Sequence, residues 1–225
     1  MKPLVMSIGG SIFNPDGFNF SFVKDLKNVL TNLAKKRDIV VVCGGGKTAR
    51  NYIIPLRQAG VSEKRCELIG IGITRMNARF FINFFGEIAS QHVPASMKEV
   101  RNLLQKSNLV FTGGLRFVPA STSDGTAAGL AHYFNTDFIN MTNVKGLYTK
   151  DPKFKDAKFI SEISFKDFNE IASKIKYQPG QHFVLDQNAA KIIKQHKIKT
   201  YIIGPDLNNL VNLINGKRFT GTVIC

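Results

Sequence analysis

A chain of 225 residues is long enough for one large α/β domain or two fused lobes with a full core. Its 31 Lys and Arg against 16 Asp and Glu leave a formal charge of +15, which suits polyanionic partners such as nucleotides, nucleic acid or an acidic membrane surface. That charge is spread along the chain, with Lys35-Lys36-Arg37 its densest cluster; this reads as a solvated basic surface, and nucleic acid is not an expected partner beyond nonspecific charge.

In chain order, Leu4-Val5-Met6-Ser7-Ile8 reads as a buried strand running into the turn Gly9-Gly10-Ser11. Asn14-Pro15-Asp16-Gly17 is a turn signal, and Val23, Leu26, Leu30, Leu33 and Ala34 mark one face of a helix ending near Arg37. Ile39-Val40-Val41-Val42-Cys43, mostly β-branched, reads as a strand buried on both faces. The helix after Gly44-Gly45-Gly46 is expected from Lys47 or Thr48, disturbed at Pro55 and stopped at Gly60.

Ser62 begins a long helical segment in which Gly70 and Gly72 fit close helix packing or a backbone opened to a ligand, packing being favoured. Phe80, Phe81, Phe84 and Phe85 are too many aromatics for one buried stripe and point to a subunit interface, the alternative being a thick core. Ser96-Met97-Lys98-Glu99 is a capping box, and Leu109-Val110-Phe111-Thr112 a strand ending in Gly113-Gly114. Thr122-Ser123-Asp124 leads into a small-residue helix, and Phe138 to Met141 is a strand ending in Thr142-Asn143. A short helix starts near Ser164 and Asp167, another holds Asn188 to Ile193, Thr200 to Ile203 is a strand, and Asp206 caps a last helix closed by Gly216. Strands alternating with helices imply a largely parallel sheet covered on both faces, with ligands beyond the carboxyl ends of the strands.

The stretch from Ile39 to Arg50 concentrates the chemistry. Three glycines allow close backbone approach, the helix start favours an anion, and Arg50 adds a fork suited to phosphate. A plain strand-to-helix turn would carry one such run, but the chain repeats the move at Gly9-Gly10. A P-loop is ruled out by spacing, because the first glycine it requires would fall at Val41. His92, His132, His182 and His196 form no local triad with Ser or Cys. Cys43, Cys66 and Cys225 lack metal spacing, so no metal site is expected. The odd cysteine count fits a reducing cytoplasm, and no membrane span or leader is expected. Glycine turns, scattered lysines and no metal cluster together suit phosphoryl transfer.

Gly9-Gly10-Ser11, Gly44-Gly45-Gly46-Lys47-Thr48-Ala49-Arg50, Thr122-Ser123-Asp124, Thr142-Asn143-Val144 with Gly146-Leu147-Tyr148 and Asp151-Pro152, and Ala190-Lys191-Ile192-Ile193 stand in the order of the amino acid kinase superfamily. The chain resembles its archaeal uridylate (UMP) kinase branch over essentially its whole length. The resemblance implies a three-layer sandwich around a mostly parallel sheet in one domain, 1–225, with an acceptor (UMP) lobe over 1–135 and an ATP lobe over 136–225. It implies phosphorylation of UMP by ATP carrying Mg²⁺, in a homo-oligomer that relatives form as a hexamer.

By the same resemblance, the acceptor phosphate lies on Gly44, Gly45, Gly46 and Arg50. The UMP site continues through Glu67, Gly70, Arg75 and Asn77, then Thr112, Gly113 and Gly114, and closes with Thr122, Ser123 and Asp124. ATP is implied at Gly9, Gly10, Ser11, Thr142, Asn143, Tyr148, Asp151 and Lys191. Lys191, Lys47 and Gly10 are the implied catalytic groups.

Three departures stand out: Ser7 where many relatives have Lys and some Asp, Lys145 where Asp is usual, and a longer loop from Leu115 to Ser121. Other acceptors considered are isopentenyl phosphate, acetylglutamate and carbamate; Arg50 favours one that already carries phosphate. A non-catalytic nucleotide- or RNA-binding relative is the rival from another class.

Overall fold

The computed structural model describes residues 2–115, 122–174 and 184–225. The expected loop lengthening at 116–121, and His182, lie outside the described residues.

The strands are β1 (Leu4–Ile8), β2 (Ile39–Cys43), β3 (Leu109–Thr112), β4 (Phe138–Met141), β5 (Leu147–Tyr148), β6 (Phe159–Ile160), β7 (Glu162–Ile163), β8 (Thr200–Ile203) and β9 (Gly221–Ile224). The α-helices are α1 (Gly10–Phe13), α2 (Phe20–Ala34), α3 (Gly46–Gln58), α4 (Glu63–Phe85), α5 (Met97–Leu104), α6 (Ser123–Phe134), α7 (Phe165–Lys174), α8 (Gln187–His196) and α9 (Leu207–Ile214).

A seven-stranded sheet runs in the order β3-β2-β1-β4-β8-β9-β7. Its first five strands are parallel, with Leu4 against Ile39, Val5 against Phe138 and Phe138 against Thr200, while β9 lies antiparallel to β8. Every residue of β1 to β4 is buried, so alternate side chains feed two separate layers. Met6, Ile8, Val41 and Phe111 pack with α2, α4 and Leu210 of α9. Val5, Val40, Val42, Val110 and Phe138 pack with α5, α6, α7 and α8. The result is the expected three-layer α/β architecture.

Several details go beyond what the sequence pattern marks. The first glycine turn opens directly into α1, and α3 continues through Pro55. Proline removes one ladder donor, but its carbonyl still accepts from Ala59 N at 2.9 Å, so the helix holds. β9 and the small β5–β6 pair are strands that the apolar pattern did not mark.

The phenylalanines divide between the two readings. Phe81 and Phe85 are core, with ring centroids 5.2 and 4.7 Å from Phe111. Phe80 and Phe84 are half-buried and carry the exposed Phe18 and Phe20 at 4.3 and 6.1 Å.

Candidate active site

β1, β2, β3 and β4 all point their carboxyl ends to one edge, and β2 and β4 flank β1 on opposite sides. At such a switch of strand order the loops diverge and leave a crevice. Here the two glycine turns close against each other. Gly9 N donates to Met141 O at 3.0 Å and Gly44 N to Ile8 O at 2.9 Å. A Cβ on Gly10 would lie 2.5 Å from Gly46 N, and one on Gly44 would lie 2.8 Å from Gly10 N. Gly46, at φ +60°, opens α3 in a conformation that L side chains rarely adopt. These glycines are required by backbone-to-backbone contact, and that contact brings the amino end of α3 over the first turn.

Arg50, one turn into α3, donates from Nη2 to Ser11 Oγ at 3.4 Å and so bridges the two turns. Asn14 Nδ2 reaches Thr48 Oγ1 at 3.2 Å. Lys47 instead turns outward to an ion pair with Asp16, both side chains being well exposed.

α4 braces this edge from behind. Asn77 donates from Nδ2 to Gly44 O at 2.8 Å. Thr74 Oγ1 donates to Ile71 O and accepts from Gly114 N at 2.9 Å. Arg75 spends its guanidinium on three carbonyls: Pro94 at 2.6 Å, Val93 at 3.1 Å and Gly114 at 3.3 Å. A Cβ on Gly113 would lie 2.4 Å from the Thr74 backbone, which explains that glycine.

A cavity of about 390 Å³ opens in front of these turns, within the size range of small-molecule sites. Of the expected acceptor residues, Gly45, Gly46, Arg50, Glu67, Gly70, Gly114, Thr122, Ser123 and Asp124 line it. Gly44, Arg75, Asn77, Thr112 and Gly113 are not in its lining; Thr112 is fully buried, and its hydroxyl donates to Gly113 O at 3.1 Å.

The motif reading missed most of the apolar wall, Ala49, Ile53 and Ile54, and also Arg57 and Cys66, whereas Ile71 and Thr74 fall within the stretch Gly70 to Asn77 that the resemblance implies. Ile53, Ile54 and Arg57 stand three, four and seven residues after Arg50, the spacing of one helix face, which was the available signal. A Cβ on Gly70 would sit 3.3 Å from Ile53 Cδ1, so Gly70 both packs two helices and lines the cavity. Gly72 faces open space.

The remaining wall comes from α6 and α8. Thr122 caps α6 by accepting from Gly125 N at 2.9 Å, and its hydroxyl also donates to Asp186. Asp186 caps α8, accepting from Ala189 N at 2.8 Å. A Cβ on Gly125 would lie 2.4 Å from Asn188 Nδ2, so a glycine there lets the two helix starts touch. Burial first, and then the charge of Asp186, pushes the Asp124 carboxyl up to about 8. Asp186 is raised by its own burial, against the Thr122 hydroxyl and the helix amides that favour its charged form. Asp186 escapes the motif reading, although an Asp just ahead of an apolar-periodic run is an N-cap signal.

Of the residues expected around ATP, Gly9, Gly10 and Ser11 follow β1, Thr142 and Asn143 follow β4, Tyr148 ends β5 with Asp151 just beyond it, and Lys191 is on α8. Thr142 N donates to Ile203 O at 2.9 Å, and Thr142 Oγ1 contacts Asn143 Oδ1 at 3.4 Å. The Tyr148 ring meets Phe159 edge-on at 5.4 Å, and Asp151 Oδ1 accepts from Lys153 N at 3.0 Å. Lys191 is exposed on the second turn of α8. Neither Lys191 nor Lys47 is among the described residues that line the cavity. Among the described residues no group of three or more His, Cys, Asp or Glu is placed to hold a metal ion. None of the described helices is long and apolar enough to cross a membrane.

Interlocked glycine turns on a doubly covered, mostly parallel sheet define a phosphotransferase-type architecture, and the chain belongs to the amino acid kinase family, whose sequence model matches residues 2–204. It is 36% identical over 224 residues to a uridylate kinase of Methanobrevibacter smithii, spanning 98% of each chain. It is 37% identical over 223 residues to a uridylate kinase of Archaeoglobus fulgidus, spanning 98% of this chain and 99% of that one. The crystal structure of uridylate kinase from A. fulgidus superposes over 100% of both chains with a TM-score of 0.85 at 36% identity. A UMP kinase from Bacillus anthracis, only 18% identical, shares the fold with a TM-score of 0.81 over 99% of this chain and 95% of that one.

Proposed function

We propose that the chain is an ATP-dependent UMP kinase that converts UMP and ATP to UDP and ADP by in-line transfer. The observation that carries this reading is the position of Arg50: a guanidinium at the amino end of α3, bridging two glycine turns and lining a cavity of about 390 Å³. A monophosphate fits there by charge and by the free amides of the helix start. Ile53, Ile54 and Ile71 supply an apolar wall for a base, and Glu67 a carboxylate for ribose hydroxyls.

ATP, arriving as its Mg²⁺ complex, is assigned to the carboxyl ends of β4 and β8 on the 136–225 side, with Tyr148 against adenine and Asp151 near ribose. The transition state spreads charge over the equatorial oxygens of the transferring group, so positioning and electrostatics supply most of the catalysis. The amides of Gly10 and Ser11 underlie that group, Gly9 N being held by Met141 O, and Lys191 meets the charge between the β- and γ-phosphates. Lys47 is a reserve cation that must first leave Asp16.

This activity belongs to cytoplasmic pyrimidine nucleotide biosynthesis. The aromatic patch of Phe18, Phe20, Phe80 and Phe84 supports a homo-oligomer, a hexamer by family resemblance.

Coupled ADP release with UMP, CMP, isopentenyl phosphate and acetylglutamate as acceptors tests the reading. UMP is expected to be turned over with the highest kcat/KM. Turnover of another acceptor in preference to UMP overturns it.

A further inference from the structure

Ser7 lies two residues after Val5 on β1 and faces the same layer, the one built by α6 and α8. Its hydroxyl donates to Asn140 Oδ1 at 2.6 Å, and Asn140 is its register partner on β4. The same amide donates from Nδ2 to Val184 O at 2.5 Å. Ser7 is 2% exposed and Asn140 3%. A carbonyl only accepts, so Val184 fixes which end of the amide faces it, and the remaining amide oxygen requires Ser7 to donate.

Val184 stands two residues before Asp186, and Leu185 between them is fully buried. Asp186 caps α8 and takes the Thr122 hydroxyl, which ties it to the start of α6. Thr122 and Asp124 line the cavity. Two side-chain hydrogen bonds and the short backbone stretch Val184-Leu185-Asp186 therefore connect the strand beneath the first glycine turn, across β4, to the junction of two helices at the cavity wall. Stability alone does not require it, because replacing both partners of a buried hydrogen bond by apolar groups of similar shape is nearly neutral.

We propose that Asn140 is a positioning residue for phosphoryl transfer: its hold on the Val184 carbonyl sets where Asp186 and the first turn of α8 sit, and with them Thr122 and Asp124. The proposal rests on the UMP kinase reading.

The test compares wild type, Asn140→Leu and Ser7→Ala by UDP formation, by the pH dependence of kcat and by thermal unfolding. Asn140→Leu is expected to lower kcat about tenfold or more, since displacements of about 1 Å at a site cost up to about 100-fold. The apparent pH midpoint should also move down, because freeing Asp186 relieves its own burial and takes its charge away from Asp124. Ser7→Ala keeps the bond to Val184, so its kcat should stay within about twofold of wild type and its pH midpoint should not move. If Asn140→Leu does not fold, the smaller Asn140→Ala also loses the donor toward Val184, brings no ionisable group and gives the same readouts. An Asn140 variant that unfolds at lower temperature but keeps wild-type kcat and pH midpoint overturns the proposal. So does Ser7→Ala losing as much turnover as the Asn140 variant. No wild-type turnover of UMP overturns the functional reading and the proposal together, whereas a loss confined to the variants leaves that reading standing.

Discussion

Asn77, only 5% exposed in the middle of α4, donates its side-chain amide to the carbonyl of Gly44 at 2.8 Å. This bond joins the long helix behind the sheet to the first residue of the triple-glycine turn. A residue expected to touch the nucleotide thus supports the backbone that would touch it. Asn77→Ala leaves a backbone carbonyl without its donor, a loss of about 1–3 kcal/mol when the group is buried. Thermal unfolding should shift downward by a corresponding amount, and the KM for UMP should rise while that for ATP holds. Unchanged melting together with an unchanged KM for UMP would contradict this support role.

Arg50 is the residue on which acceptor binding turns. Arg50→Ala should weaken UMP binding by about 2–3 kcal/mol, the scale of a lost charge-assisted pair. Titration calorimetry should find ATP affinity nearly unchanged. Equal losses for both ligands would remove Arg50 from the acceptor phosphate.

Asp124 makes stability depend on pH. An ordinary Asp titrates near 4, whereas burial and the neighbouring Asp186 raise Asp124 to about 8 in the folded chain. Between those values the folded state holds a proton that the unfolded state has released, so stability falls as pH rises from about 4 to about 8. Asp186, raised in the same direction by burial, adds to the decline. Asp124→Asn removes one titrating group, so its melting temperature relative to wild type should improve steadily from pH 5 to pH 8. A difference that stays flat over that range would mean that Asp124 is ionised throughout.

Lys191 sits exposed on α8, outside the described cavity wall, where a snorkelling surface lysine would also sit. If it meets charge developing between the β- and γ-phosphates, Lys191→Met should lower kcat by about 10²–10³. UMP affinity should stay within about threefold, because that contact belongs to Arg50. Near-wild-type turnover would send the search for the cation to Lys47, once released from Asp16.

Much of the sheet is legible in sequence because β1 to β4 are buried on both faces, and their apolar runs end in glycines or a polar turn. β9 is not legible in this way. It begins at Gly221, has four residues, and owes its burial to antiparallel pairing with β8, a contact that no local pattern encodes.

The site divides along the same line. The glycines and Arg50 announce themselves through spacing, whereas Ile53 and Ile54 look like any apolar helix stripe until α3 and α4 enclose a space. Arg75 and Asn77 can be picked out by motif, but their partners, Gly114 and Gly44, lie 39 and 33 residues away. Only the fold shows that both side chains hold backbone. The Ser7 departure gains meaning the same way, since its partner Asn140 lies 133 residues on.

The most direct test of the central claim is phosphorus NMR of wild-type protein incubated with UMP and MgATP. Resonances of UDP and ADP growing in equal amounts as those of UMP and ATP decline are the predicted result. ADP accompanied by inorganic phosphate, with UMP unconsumed, would contradict the account.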